Sequence, residues 1–297
     1  MVRVTVPATT ANLGPGFDCL GLALSLFNSI TLERSETFGL TVVGEGAECL
    51  PRDQSNLVYR AVVAVHQAAG IGLPPLHIGV ANEVPLCRGL GSSAAAIVGG
   101  LVAANALNGS PLDNREILRL ACQLEGHPDN VAAALFGGLV VATCVDGEVE
   151  YARLDVPQGV RAVVFVPDHE MPTDRARSVL PPRVSREDAV FNVGRATLLV
   201  AAFSTGRLNL LKVATEDRLH QQYRRELFPS MDRFFDAARE AGALGVFLSG
   251  AGSAILALTN GAEAAVARAL LEVAAKEALG GRVATLELCD RGAEVSI

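Results

Sequence analysis

Lysine is nearly missing from this chain of 297 residues: Lys212 and Lys276 are the only examples, so almost every cation is an arginine. A Walker-type phosphate site, G-x-x-x-x-G-K-[ST], needs a lysine beside its glycines, and no such sequence occurs. Cys19, Cys49, Cys87, Cys122, Cys144 and Cys289 include no C-x-x-C pair, and His66, His77, His127, His169 and His220 show no zinc spacing such as H-E-x-x-H. Reduced, buried thiols are therefore expected. A net charge of -7 provides no basic face, which sets aside nucleic acid as a partner. Long apolar runs are lacking too. The longest, Val131 to Val145, is too short to span a bilayer and is broken by Gly137 and Gly138, so no membrane partner is expected. Instead of a charged and then apolar leader, the first residues form the alternating stretch Val2-Arg3-Val4-Thr5-Val6, which predicts a cytoplasmic location.

What is present fits a globular enzyme with a sizeable core: 50% of residues are hydrophobic and 19% charged, with no low-complexity stretch. Residues 2–6, 24–33, 39–44 and 76–82 read as strands, and 55–69 and 92–107 as helices. Leu139 to Val145 reads as a strand ending in a hairpin turn at Asp146-Gly147. A buried strand is predicted at Ala162 to Val166, then mostly helix from Ser185 to Gly242. The chain finishes with strands 244–249 and 253–259, a helix 262–278 and a strand 283–289. Two lobes of mixed α and β structure follow, divided near residues 150–160.

Three glycine-marked segments stand out. In the central one, Pro85-Leu86-Cys87-Arg88-Gly89-Leu90-Gly91-Ser92-Ser93-Ala94-Ala95, glycines permit a close backbone approach and an Ala-rich helix begins just after them. A helix start binds phosphate through free N–H groups and the positive end of its dipole, and serine hydroxyls suit a phosphate oxygen or Mg²⁺. A plain Ser cap explains the same residues. The second, Pro7 to Gly21, follows a strand and carries Asn12 and Asp18; an ordinary Gly-Pro turn is its simpler explanation. The third, Phe247-Leu248-Ser249-Gly250-Ala251-Gly252-Ser253, reads as a hairpin.

Between these lie functional groups in clusters. Glu125-Gly126-His127-Pro128-Asp129-Asn130 offers a metal ligand and a substrate anchor, or merely acids complementing a helix start at Pro128. Arg175, Arg177, Arg224 and Arg225 concentrate cations in an acidic protein. Surface charge is the default explanation, but an amino-acid carboxylate needs the bidentate partner that arginine supplies.

The order of the three glycine segments resembles that of the GHMP kinases, named for galactose, homoserine, mevalonate and phosphomevalonate. Within that superfamily the stretches PATTANLGPGFDCLGLAL at 7–24, EGHPDNVAAAL at 125–135, TDRARSVLP at 173–181 and DRLHQQYR at 217–224 are similar to the homoserine kinases. The resemblance implies an α+β, two-lobed fold. An N-terminal ATP-binding α/β domain would span 1–155, and a C-terminal α/β plait of ferredoxin-like form would span 156–297. It implies ATP and Mg²⁺ as cofactors, with Asn56 and the run Pro85, Leu86, Cys87, Arg88, Gly89, Leu90, Gly91, Ser92, Ser93, Ala94 and Ala95 around the nucleotide. Ser93 or Ser92, with Glu125, would hold the metal. L-homoserine would lie among Asn12, Asp18, His127 and Asp129, its carboxylate on Arg177 and Arg224, and its hydroxyl aligned by Asp129 and Asn130. Homodimers are common in that family. A kinase for mevalonate or a sugar, a decarboxylase of the same superfamily and a non-catalytic metabolite-binding relative are the alternatives.

Overall fold

The computed structural model describes residues 1–296. In chain order its first elements are β1 (Val2–Asn12), β2 (Gly16–Arg34), β3 (Gly39–Gly44), α1 (Leu57–Ala68), β4 (Leu76–Asn82), α2 (Ser92–Leu107), α3 (Asn114–Glu125), α4 (Asp129–Phe136), β5 (Leu139–Val145) and β6 (Glu148–Leu154). β1 and β2 form a long antiparallel ribbon from Val2↔Leu32 to Asn12↔Gly16, with register shifts at Pro7/Ala8 and Ala11/Asn12. Proline cannot donate to a ladder, which accounts for a break beside Pro7. The far half of β2 pairs with β4 and its near half with β5. β3 runs parallel to β4, with α1 as the crossover.

α2 and α4 pack against β1 and β2, while α1 and α3 pack against α2. α2 is apolar all round, as a helix enclosed by other elements must be. Gly99 lets it close on Ile30, and Gly100 lets it close on the backbone of α1 at Val58.

The second lobe contains β7 (Arg161–Pro167), α5 (Thr173–Ser178), α6 (Arg186–Thr205), a 3-10 turn at Leu208–Leu210, α7 (Leu211–Ala214), α8 (Gln221–Arg224), α9 (Met231–Glu240), β8 (Gly245–Leu248), β9 (Ile255–Thr259), α10 (Glu263–Lys276) and β10 (Gly281–Glu287). Its sheet has the order β10-β7-β9-β8, all antiparallel. Numbered within the lobe that is 4-1-3-2, the split βαβ plait. Both faces of β7 are covered. Val163 and Phe165 pack with Phe234 of α9 and Leu270 of α10, while Ala162, Val164 and Val166 join a core shared with Leu20, Leu22 and Leu24 of β2. That second core joins the lobes, and the unbroken apolar run at 162–166 is its signature in sequence.

Several expectations need correction. The first two strands run on through the segment read as a loop, to Asn12 and from Gly16. α3 was not anticipated. A last strand, β11 (Glu294–Ser296), returns to pair with β1, so a single cut at 155/156 does not separate the two sheets. The helix after His127 has Pro128 as its N-cap rather than as its first residue. All six cysteines are free, yet Cys49, Cys87 and Cys144 are exposed rather than buried. No helix among the described residues is long and apolar enough to cross a membrane.

Candidate active site

The three glycine segments bond to one another. Thr9 N donates to Leu90 O at 3.1 Å, Ala254 N to Arg88 O at 3.0 Å and Gly250 N to Ala11 O at 3.1 Å. Ser249 Oγ lies 2.6 Å from Gly89 O and 2.8 Å from Thr10 Oγ1. A turn, a helix start and a hairpin, each ordinary alone, are therefore one structure. Gly91, with φ of 69°, caps α2, and a Cβ there would overlap Thr9 Oγ1. No side chain caps this helix, so the serine-cap explanation fails. The amides of its first turn are left for another acceptor.

Between the lobes these segments enclose a cavity of about 310 Å³. At one end, Leu57 and Val58 of α1 and Val80 of β4 give it apolar walls, with Asn56 and Asn82 among them. The α2 start supplies Gly89, Leu90, Gly91, Ser92 and Ser93, preceded by Pro85, Leu86 and Cys87. Glu125, His127, Asp129, Asn130, Asn12, Asp18, Arg177 and Arg224 line the rest. Arg88, Ala94 and Ala95 do not line it. Ala94 and Ala95 are fully buried in the N-terminal lobe's core with Val4, Val6 and Ile30, and Arg88 turns away to Pro167 O, Asp168 O and Glu170. Asn56 caps α1: its Oδ1 accepts from Val58 N at 2.9 Å and its Nδ2 donates to Pro51 O at 2.7 Å.

Asp129 is buried at the start of α4. Its Oδ1 accepts from His127 Nδ1 at 2.6 Å and from Asn130 N at 2.7 Å, while Asn130 Oδ1 accepts from the Thr9 hydroxyl at 2.7 Å. Oδ2 of Asp129 has no partner among the described residues. Burial disfavours a charged His127, but the Asp129 carboxylate, aided by Glu125 and Asp18, outweighs it and raises the imidazole pKa above its ordinary value.

Ser93 Oγ donates to Glu125 Oε1 at 2.6 Å. Glu125 ends α3, where the helix dipole disfavours an acid, so dipole complementarity does not explain it. Burial raises its pKa, and the Ser93 hydrogen bond and His127 only partly oppose that. An oxygen-only pair beside an uncapped helix start fits a hard cation such as Mg²⁺. Asp18, His127 and Asp129 also lie within 4.8 Å of one another, but Arg177 takes both oxygens of Asp18 and the imidazole already bonds Oδ1 of Asp129.

Asn12, with φ of 68°, ties the lobes, accepting from Asp18 N at 3.0 Å and donating to Gly250 O at 2.9 Å. Arg177 is not free: Asp18 holds it bidentately at 2.6 and 3.0 Å. Arg224 is only 2% exposed and has no acidic partner among the described residues. Burial, then the nearby Arg177, lowers its pKa to about 10, so it stays charged near neutrality.

Three polar residues of the cavity, Ser55, Asn82 and Thr173, were not among the expected site residues: Asn82 was visible only as a polar end to the strand 76–82, and Thr173 only as the first residue of the stretch 173–181.

Family models match both lobes, GHMP kinases N terminal domain over residues 56–138 and GHMP kinases C terminal over 199–276. The chain belongs to the GHMP kinase family. Among its relatives is the homoserine kinase of Moorella thermoacetica, 47% identical over 99% of this chain and 100% of that protein. The homoserine kinase of Carboxydothermus hydrogenoformans is 48% identical over 92% of this chain and 89% of its own length. Among solved structures, homoserine kinase from Cytophaga hutchinsonii superposes with a TM-score of 0.90 at 30% identity, covering 99% of this chain and 97% of that one. Mevalonate diphosphate decarboxylase from Staphylococcus aureus, at 14% identity and a TM-score of 0.74 over 100% and 99% of the two chains, shares the fold alone.

Proposed function

We propose that this protein moves the γ-phosphoryl group of ATP to the side-chain hydroxyl of L-homoserine, giving O-phospho-L-homoserine and ADP. The observation that carries this reading is a single cavity with two chemically distinct ends. One end has the uncapped start of α2 beside Ser93 and Glu125, and the other has Asp18, Arg177 and the unpaired Arg224.

Phosphoryl transfer depends chiefly on positioning and charge stabilisation. Neither lysine lines the cavity, so phosphate charge falls to the backbone amides after Gly91. Ser93 and Glu125 would hold Mg²⁺, which supplies charge neutralisation on the phosphate oxygens. An amino acid is a zwitterion. Its carboxylate matches Arg224 first, and its ammonium and carboxylate would share Asp18 and Arg177 with the ion pair those two already make. With the remote end fixed, the acceptor hydroxyl loses little further freedom on reaching the transition state. Oδ2 of Asp129 is the free acceptor toward which that hydroxyl points its proton.

ADP release with Mg-ATP across homoserine, serine, threonine, mevalonate and galactose tests the reading. Turnover with homoserine alone, with O-phosphohomoserine as product, is the expected result. Turnover with a different alcohol keeps the nucleotide end and rejects the substrate; ATP binding without any turnover points to a metabolite-binding relative.

A further inference from the structure

Arg224 is a buried cation without a carboxylate partner among the described residues, an arrangement that costs stability unless something else holds it. Its Nε donates to Ala176 O at 3.2 Å and its Nη1 to Gly250 O at 2.9 Å, and the remaining contact is a side chain, His220 Nδ1, 3.0 Å from Nη1. We propose that His220 is a positioning residue for the transfer reaction: it aims the Arg224 guanidinium at the substrate's anionic group and registers it against the N-terminal loop. This rests on the proposed role of Arg224 toward a carboxylate.

The geometry assigns the ring's state. A guanidinium only donates, so Nδ1 must carry the lone pair; Gly14 O only accepts, so Nε2, 2.7 Å away, must carry the hydrogen. His220 is thus the neutral Nε2–H tautomer. Asp217 Oδ2 lies 3.6 Å from Nε2, too far for a hydrogen bond, and is taken by the amides of His220 and Gln221. Phe17, whose ring centroid lies 5.2 Å from that of His220, faces Arg177 as well as Arg224. Complete burial, the largest influence, and Arg224 lower the imidazole pKa to about 4 against the pull of Asp217 and Asp18.

A neutral ring here does what a carboxylate would not. Aspartate or glutamate would grip Arg224 more strongly but would cancel the charge that a substrate anion needs. Imidazole fixes the direction and leaves the full positive charge available. Through Gly14 it also links the clamp to the turn between β1, which ends at Asn12, and β2, which carries Asp18.

Steady-state kinetics on the full chain should compare His220→Gln, His220→Leu and His220→Glu with the parent, using homoserine and homoserinol, in which CH₂OH replaces the carboxylate. With the leucine variant, KM for homoserine should rise about tenfold or more, while KM for ATP and the constants for homoserinol hold steady. Glutamine should restore part of the loss, and glutamate should lose more than leucine. Equal losses on both alcohols, or a parallel change in KM for ATP, would show a merely structural role and overturn the proposal. A parent enzyme silent with homoserine would instead overturn the functional reading. Nitrogen NMR of the parent protein is independent of turnover and of variant folding: a neutral Nε2–H signal at neutral pH is expected, and an imidazolium signal sinks the idea.

Discussion

Asp129 divides its two oxygens between the protein and the site. Oδ1 is occupied by His127 and Asn130, which fixes the carboxylate plane and leaves Oδ2 without a partner among the described residues. If Oδ2 takes the hydroxyl proton, Asp129→Asn should lower kcat by more than about tenfold, ~1.4 kcal/mol, with KM for ATP unchanged. A smaller loss in single-turnover rate would leave the carboxylate an orienting role only. Glu125 supports a pH prediction. Its raised pKa means that the folded state binds its proton more tightly than the unfolded chain does. That contribution to stability is full below the unfolded carboxylate range and is lost as pH rises through the folded value; His127, also raised, behaves likewise above the ordinary histidine range. Metal binding runs the other way, because a cation needs the ionised carboxylate. The apparent affinity for Mg²⁺, read from ADP release, should therefore fall on acidification and lose that slope in Glu125→Gln. These pairings were only partly legible. The residue types Asn12, Asp18, His127, Asp129, Arg177 and Arg224 stood out, but that Asp18 already holds Arg177 is a fact of three dimensions.

Elements were legible where their apolar pattern was self-sufficient. The strands at 39–44, 76–82 and 139–145 and the helix at 92–107 fall where alternation or an apolar run predicted them. β1 and β2 outran their prediction because residues 7–12 and 16–23 are small and turn-prone, and only their mutual pairing makes them strands. α3 was missed although its signal was local. Asp113 and Glu116 form a capping box, and Ile117, Leu118, Ala121 and Cys122 make one apolar face. Asp113→Ala removes the side-chain acceptor for Glu116 N, 2.9 Å away. It should lower unfolding stability by about 1 kcal/mol in a urea titration, with KM values unchanged because the cap lies at the opposite end of the helix from Glu125.

Across the whole molecule the cavity belongs to neither lobe: Ser92 and Ser93 come from one, Arg177, Arg224 and Gly250 from the other. A ligand filling it adds contacts that bridge both, so Mg-ATP and homoserine together should raise the melting temperature more than either alone. At a concentration a hundredfold above Kd a single ligand contributes about 2.7 kcal/mol. A melting curve indifferent to both would show that the folded chain binds neither ligand. The convergence of the three glycine segments was not readable from spacing, since residues near 9, 90 and 250 meet only after both sheets have formed.

The pairing of β11 with β1 has a consequence for the cell's manufacture of this protein. Arg3 waits for Ser296 and Thr5 for Glu294. At about 5–20 residues per second, the ribosome needs roughly 15–60 s to deliver those partners. Throughout that interval the outer edge of the first strand has unpaired amides and carbonyls, the kind of template on which nascent chains recruit one another. Aggregation during synthesis should therefore be governed by residues 3–5, none of which lines the cavity.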